Sequence, residues 1–204
     1  MKKLLLIIDM VNGFVKEGAL ADKYINSITP NIIKLIEEYI KNNDDIISIQ
    51  EGHSNNSKEF ESFPVHCVLG TEEAELIEEL VPYKESMKVI RKNSTCGFVT
   101  KEFLEYIKQN EKELEEIVLT GCCTDLCVMN FALPLKNYIN EHDLNIKVIV
   151  YENYVETYDA PNHNREEYND MAFKIMKLNG IEVKWGANWS NKRWRYEIEK
   201  VIIG

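Results

Sequence analysis

The apolar pattern of this 204-residue chain predicts an α/β fold, a three-layer αβα sandwich on a mostly parallel sheet of about six strands. Three observations predict it. Six short apolar runs recur along the chain, and helix-period segments lie between most of them. Residues able to do chemistry follow the carboxyl ends of the first four runs, the rim where open parallel sheets bind ligands.

Each element has a local reason. Residues 4–8 form the first apolar run, cut off by Asp9. Ile32, Ile33, Leu35, Ile36, Tyr39 and Ile40 make one face of a helix that Pro30 starts in its first turn. The second run is 46–49, followed by Glu51 and His53, and the third is 88–90, ended by Lys92. Between them, 60–70 reads as a long non-periodic loop containing Pro64, suited to a pocket wall. Phe103, Leu104 and Ile107 mark a second helix with Thr100 as its cap. Residues 116–120 are a buried strand leading into a helix over 126–139, which Pro134 should kink or interrupt. A strand at 146–150, a helix at 165–178 closed by Asn179-Gly180, and a last strand at 181–185 complete the set. With no linker, repeat or low-complexity stretch, residues 1–204 read as a single domain.

Composition excludes several functions. A formal net charge of -10 argues against a nucleic-acid partner. Lys192, Arg193 and Arg195, interleaved with Trp189 and Trp194, read as a solvated or subunit-facing tail. The apolar start is too short for a signal segment or a membrane span. Five cysteines with no C-x-x-C pair point to a reducing cytoplasm. The segment Asp9-Met-Val-Asn-Gly13 lacks G-x-G-x-x-G, so no nucleotide cofactor is expected. The expected partner is a small-molecule substrate, and homo-oligomer formation stays open.

Cys127 carries the chemistry. It falls in the first turn of a helix directly after a strand, where free N–H groups and the helix dipole favour a thiolate. Asp9 and Lys92 stand at strand ends on the same rim: the lysine favours the anion and the aspartate can take and return the proton. Taken singly, Cys127 would be a core residue, Asp9 a helix cap and Lys92 a surface charge; the trio outweighs these readings. Cys67, Cys96, Cys122 and Cys123 read as packing residues, and His142 and His163 as ordinary surface residues. Tyr151, Tyr154 and Tyr158 fit either the core or a subunit contact.

Four blocks carry a resemblance: Ile7-Ile-Asp-Met-Val-Asn-Gly-Phe14, Phe63-Pro-Val-His-Cys-Val-Leu-Gly-Thr71, Ile90-Arg-Lys-Asn93 and Gly121-Cys-Cys-Thr-Asp-Leu-Cys-Val128. With them the chain resembles the isochorismatase-like cysteine hydrolases, and within these the nicotinamidase branch. The resemblance implies a Rossmann-like topology and a triad of Asp9, Lys92 and Cys127. It implies a non-proline cis peptide between Cys122 and Cys123, with the backbone N–H groups of Cys123 and Cys127 forming an oxyanion hole. It further implies a divalent metal on Glu51, His53 and His66, Zn²⁺ first with Fe²⁺ or Mn²⁺ as alternatives. Phe14 and Phe63 match pocket positions that sandwich a pyridine ring. Two departures stand out: Glu51 replaces the family's aspartate, and no tyrosine follows Lys92 in Asn93-Ser-Thr-Cys-Gly97. The implied activity is hydrolysis of nicotinamide. The rivals are another small amide, a ureido compound or a vinyl ether on the same triad, a non-catalytic module, and a Cys-His protease.

Overall fold

A computed structural model describes residues 1–186. The basic and aromatic cluster at Trp189, Lys192, Arg193, Trp194 and Arg195 lies outside the described residues. Six strands, β1 (Lys2–Ile8), β2 (Asp45–Glu51), β3 (Lys88–Lys92), β4 (Leu114–Cys122), β5 (Lys147–Glu156) and β6 (Glu182–Lys184), form one sheet in the order β3-β2-β1-β4-β5-β6. Every pairing in it is parallel. The order reverses between β1 and β4, which is where such sheets open a crevice at their carboxyl ends.

Alternation in β1 shows how the sheet holds its two sides. Leu4, Leu6 and Ile8 face one core cluster, and Leu5 and Ile7 face the other. The first cluster is covered by α3 (Lys101–Asn110), α4 (Met129–Glu141) and α5 (Arg165–Leu178). The second is covered by the short α1 (Asn12–Val15) and by α2 (Thr29–Asn42). The sandwich expected from sequence is therefore present. Pro30 starts α2, and Asn43 ends it in the left-handed conformation. No helix among the described residues is long and apolar enough to cross a membrane.

One local expectation is corrected, and a second in part. Thr100 stands at the N-cap of α3, but its hydroxyl donates to the carbonyl of Gly97 instead of accepting from the helix. Pro134 lies inside α4, which runs through it uninterrupted. Proline withholds the N–H that the carbonyl of Asn130 would receive; the Cys96 thiol, 3.0 Å from that oxygen, takes its place. The tyrosines divide: Tyr154 is core, Tyr151 packs against the core edge, and Tyr158 stacks on His163.

Gly121, one residue before the end of β4, has φ +104°, and a Cβ there would lie 1.9 Å from the carbonyl oxygen of Ile8. This close approach brings the ends of β1 and β4 together. Gly121→Ala is expected to destabilise the fold by about 3 kcal/mol or more, read as a drop in urea midpoint at unchanged slope.

Candidate active site

The crevice is built by four strand ends. Asp9 follows β1 with a left-handed backbone (φ 53°) rarely taken by residues other than glycine, its N–H tied to Ile49 O at 2.8 Å. Glu51 closes β2 and Lys92 closes β3, paired directly with each other in the sheet register. Beyond β4, the Cys122–Cys123 peptide is cis, and Thr124–Val128 forms a π-helical turn leading into α4. Cys127 is the fourth residue of that turn.

The side chains of Asp9, Lys92 and Cys127 meet, with Glu51 as a fourth member. All four are buried. Lys92 Nζ lies 2.9 Å from Asp9 Oδ2, makes a short hydrogen bond to Glu51 Oε2, and donates to Cys127 Sγ at 3.6 Å. Asp9 Oδ1 accepts the backbone N–H of Glu51 at 2.8 Å, and Cys127 Sγ is 4.0 Å from Glu51 Oε2. Among the described residues no histidine is hydrogen-bonded to the Cys127 sulfur, which leaves a Cys-His protease without its base.

Burial and charge set the protonation states. Burial raises the Asp9 carboxyl, Lys92 pulls it part of the way back and Glu51 adds to the rise, leaving it at about 6. Burial also works against the Lys92 ammonium, but Asp9, Cys127 and Glu51 outweigh it and its pKa stands well above the ordinary lysine value. Glu51 is raised by burial and lowered more strongly by Lys92 and His53, so it stays ionised. For Cys127 burial dominates: Lys92 lowers the thiol pKa, yet burial with Asp9 and Glu51 lifts it well above the usual value. The thiolate expected from the helix N-terminus is therefore corrected to a neutral thiol at rest, next to a carboxylate able to accept its proton.

The second group adjoins the first. His53 N–H bonds Cys67 O and Leu69 N–H bonds His53 O, both at 2.9 Å, which zips the loop bearing His66 onto the end of β2. His53 Nε2 lies 3.1 Å from His66 Nε2 and 3.0 Å from Glu51 Oε1. The other ring nitrogens are occupied: His66 Nδ1 meets Pro64 O at 2.7 Å, and His53 Nδ1 meets Asn93 Oδ1 at 3.0 Å with Ser57 Oγ at 3.2 Å. Protons on both Nδ1 atoms leave two Nε2 lone pairs and a carboxylate oxygen facing one another. Glu51 Oε1 is buried and lacks an aligned hydrogen bond despite its closeness to His53. Such a set fits a divalent cation, and the three ligand atoms lie within 4.8 Å of one another. Burial opposes charge on His53, but Glu51 and Asn93 outweigh it and raise its pKa, whereas burial lowers that of His66.

Three phenylalanines ring this group. The centroids of Phe14, Phe60 and Phe63 lie 5.6, 5.9 and 6.3 Å from that of His66. Phe60 opens the 60–70 loop read as a pocket wall, but it is not singled out there as a ring-flanking residue beside Phe14 and Phe63. Asn93 and Ser57 were also missed, though Asn93 directly follows Lys92. His163, read as a surface residue, is buried between Tyr158 and Tyr168. His142 is exposed, as expected.

The family model described as "Isochorismatase domain" matches residues 3–183. The chain is 30% identical over 176 residues to Nicotinamidase 1 of Arabidopsis thaliana, covering 78% of this chain and 71% of that protein. The crystal structure of nicotinamidase PncA from Bacillus subtilis superposes with a TM-score of 0.75 at 26% identity, covering 90% of this chain and 99% of that one. The pyrazinamidase of Pyrococcus horikoshii, solved in complex with zinc, shares the fold at TM-score 0.74 and 22% identity, covering 91% of this chain and 100% of that one.

Replacing Lys92 would leave two buried carboxylates without a counter-charge. Lys92→Met is expected to lower stability at pH 7 by about 3 kcal/mol, measured by urea unfolding.

Proposed function

The chain belongs to the isochorismatase family, and from this footing we propose that it is a cysteine-dependent amidohydrolase converting nicotinamide and water to nicotinate and ammonia. The observation that carries the proposal is the meeting of the Cys127 thiol, the Asp9 carboxylate and the Lys92 ammonium beside a set of metal ligands ringed by phenylalanine.

The chemistry follows from the protonation states. Asp9 takes the proton of Cys127 as the sulfur attacks the carboxamide carbon. The ammonium of Lys92 sits close enough to both groups to hold the charge through this transfer. Backbone N–H groups of Cys123 and Cys127 receive the developing oxyanion. Asp9 then gives its proton to the leaving nitrogen, and ammonia departs from a thioester on Cys127. A water deprotonated by Asp9 attacks the thioester, nicotinate leaves, and the thiol regains its proton. A divalent metal on Glu51, His53 and His66, when bound, supplies a Lewis-acid anchor for the pyridine nitrogen. Phe14, Phe60 and Phe63 flank the flat ring.

A second reading keeps the triad and changes the small amide. It is favoured by the two departures from the family pattern, Glu51 in place of aspartate and the absence of a tyrosine in Asn93-Ser-Thr-Cys-Gly97 after Lys92. A panel of small amides, with nicotinamide among them, separates the two.

Wild type should release ammonia from nicotinamide, and Cys127→Ala should lose at least about 10⁴-fold of that rate. Equal rates, or none from either, would remove the nicotinamidase reading. Because Asp9 must be ionised to accept the proton, kcat/KM should fall as pH drops through about 6, seen as the acid limb of the pH–rate profile.

A further inference from the structure

Asp125 is the only charged residue of the π-helical turn Thr124–Val128 and lies two positions before Cys127. It bonds outward, away from the catalytic group, to the loop that follows β5. Thr157 Oγ1 donates to its Oδ1 at 2.5 Å, and His163 Nε2 donates to its Oδ2 at 2.9 Å. His163 in turn directs Nδ1 at the carbonyl of Tyr158 at 3.0 Å. Its ring is clamped between Tyr158, at 3.9 Å and 10°, and Tyr168, at 3.7 Å and 29°. The far end of the same loop is fixed by Arg165, which bonds Asp22 at 2.6 Å and Thr157 O at 3.1 Å and stacks 4.0 Å over Tyr24. The loop is thus a braced anchor.

The turn itself needs one. The carbonyl of Cys123 receives two N–H groups, those of Leu126 and Val128, each at 3.1 Å, so the wide turn lacks the one-to-one ladder of an α-helix. Its rotation decides where the Cys127 sulfur stands relative to Lys92. A pair of charge-assisted hydrogen bonds from a braced loop to the middle of this turn fixes that rotation.

We infer that Asp125 and His163 are positioning residues, a latch from the β5–α5 loop that holds the nucleophile turn so that Cys127 stays beside Lys92. The inference rests on the reading of Cys127 as the nucleophile. The bonding pattern also supplies its own control. In Asp125→Asn, Oδ1 can still accept from Thr157 and Nδ2 can donate to Nε2 of a neutral His163, so the latch is kept while the charge is removed. Asp125→Ala removes both.

Wild type and both variants are compared by crystal structure, by kcat and KM on nicotinamide, and by thermal midpoint. In Asp125→Ala the Cys127 Sγ should move from its 3.6 Å contact with Lys92 Nζ by about 1 Å or occupy several positions. Its kcat should fall about 30-fold with KM within about twofold, at an assay temperature where it is fully folded. Asp125→Asn should keep the sulfur in place and kcat within about threefold of wild type. An unmoved sulfur in Asp125→Ala, or equal losses in the Ala and Asn variants, would overturn the inference. If wild type does not turn over nicotinamide, the crystal structures decide alone, and the failure is that of the substrate assignment. Should Asp125→Ala not fold, Thr157→Val removes one of the two bonds at constant shape and should lower kcat about threefold; no change there would also overturn it.

Discussion

The buried ammonium of Lys92 is the group on which the site depends. It lies buried at the end of β3, so it persists as a charge because the carboxylates of Asp9 and Glu51 flank it. The dependence is mutual. Two carboxylates this close to each other in a buried crevice would not both ionise without the lysine between them. With the thiol neutral, the group retains net negative charge, which is the electrostatic setting in which the adjoining Glu51, His53 and His66 would take up a cation.

Glu51 links the two halves. One oxygen bonds Lys92 and the other faces His53 Nε2, so a single carboxylate belongs to both the candidate catalytic group and the candidate metal-ligand set. The additional methylene of glutamate over aspartate gives this side chain the reach to do so from the end of β2. The glutamate that departs from the family's aspartate is, in the geometry, the one side chain that touches both Lys92 and His53. The zipped backbone between His53 and the 67–69 segment then keeps His66 in register with it.

Most of this was readable in the sequence where the signal is local. Strand runs, the helix started at Pro30 and the polar residues at strand ends all follow from short-range pattern, and the strand-end rule gathered Asp9, Glu51, Lys92 and Cys127 on one rim. What escaped depends on residues distant in sequence. The thiolate expectation rests on the helix terminus and on Lys92, and leaves out the burial and the two carboxylates that lift the thiol. Pro134 leaves the carbonyl of Asn130 without its helical donor, and the thiol of Cys96, from another loop, reaches that oxygen. His163 reads as an ordinary surface residue because its partners, Asp125 and Tyr168, come from the π-helical turn and from α5. No periodicity reports such pairs.

The most direct measurement is the titration of the Asp9 carboxyl, followed by ¹³C NMR in the metal-stripped protein and in Lys92→Met. A midpoint of about 6 in the wild type, moving higher once the ammonium is removed, is expected from a buried carboxylate held in its charged form by Lys92. A midpoint near 3.8 that does not respond to the loss of Lys92 would show that these groups do not share one buried charge network.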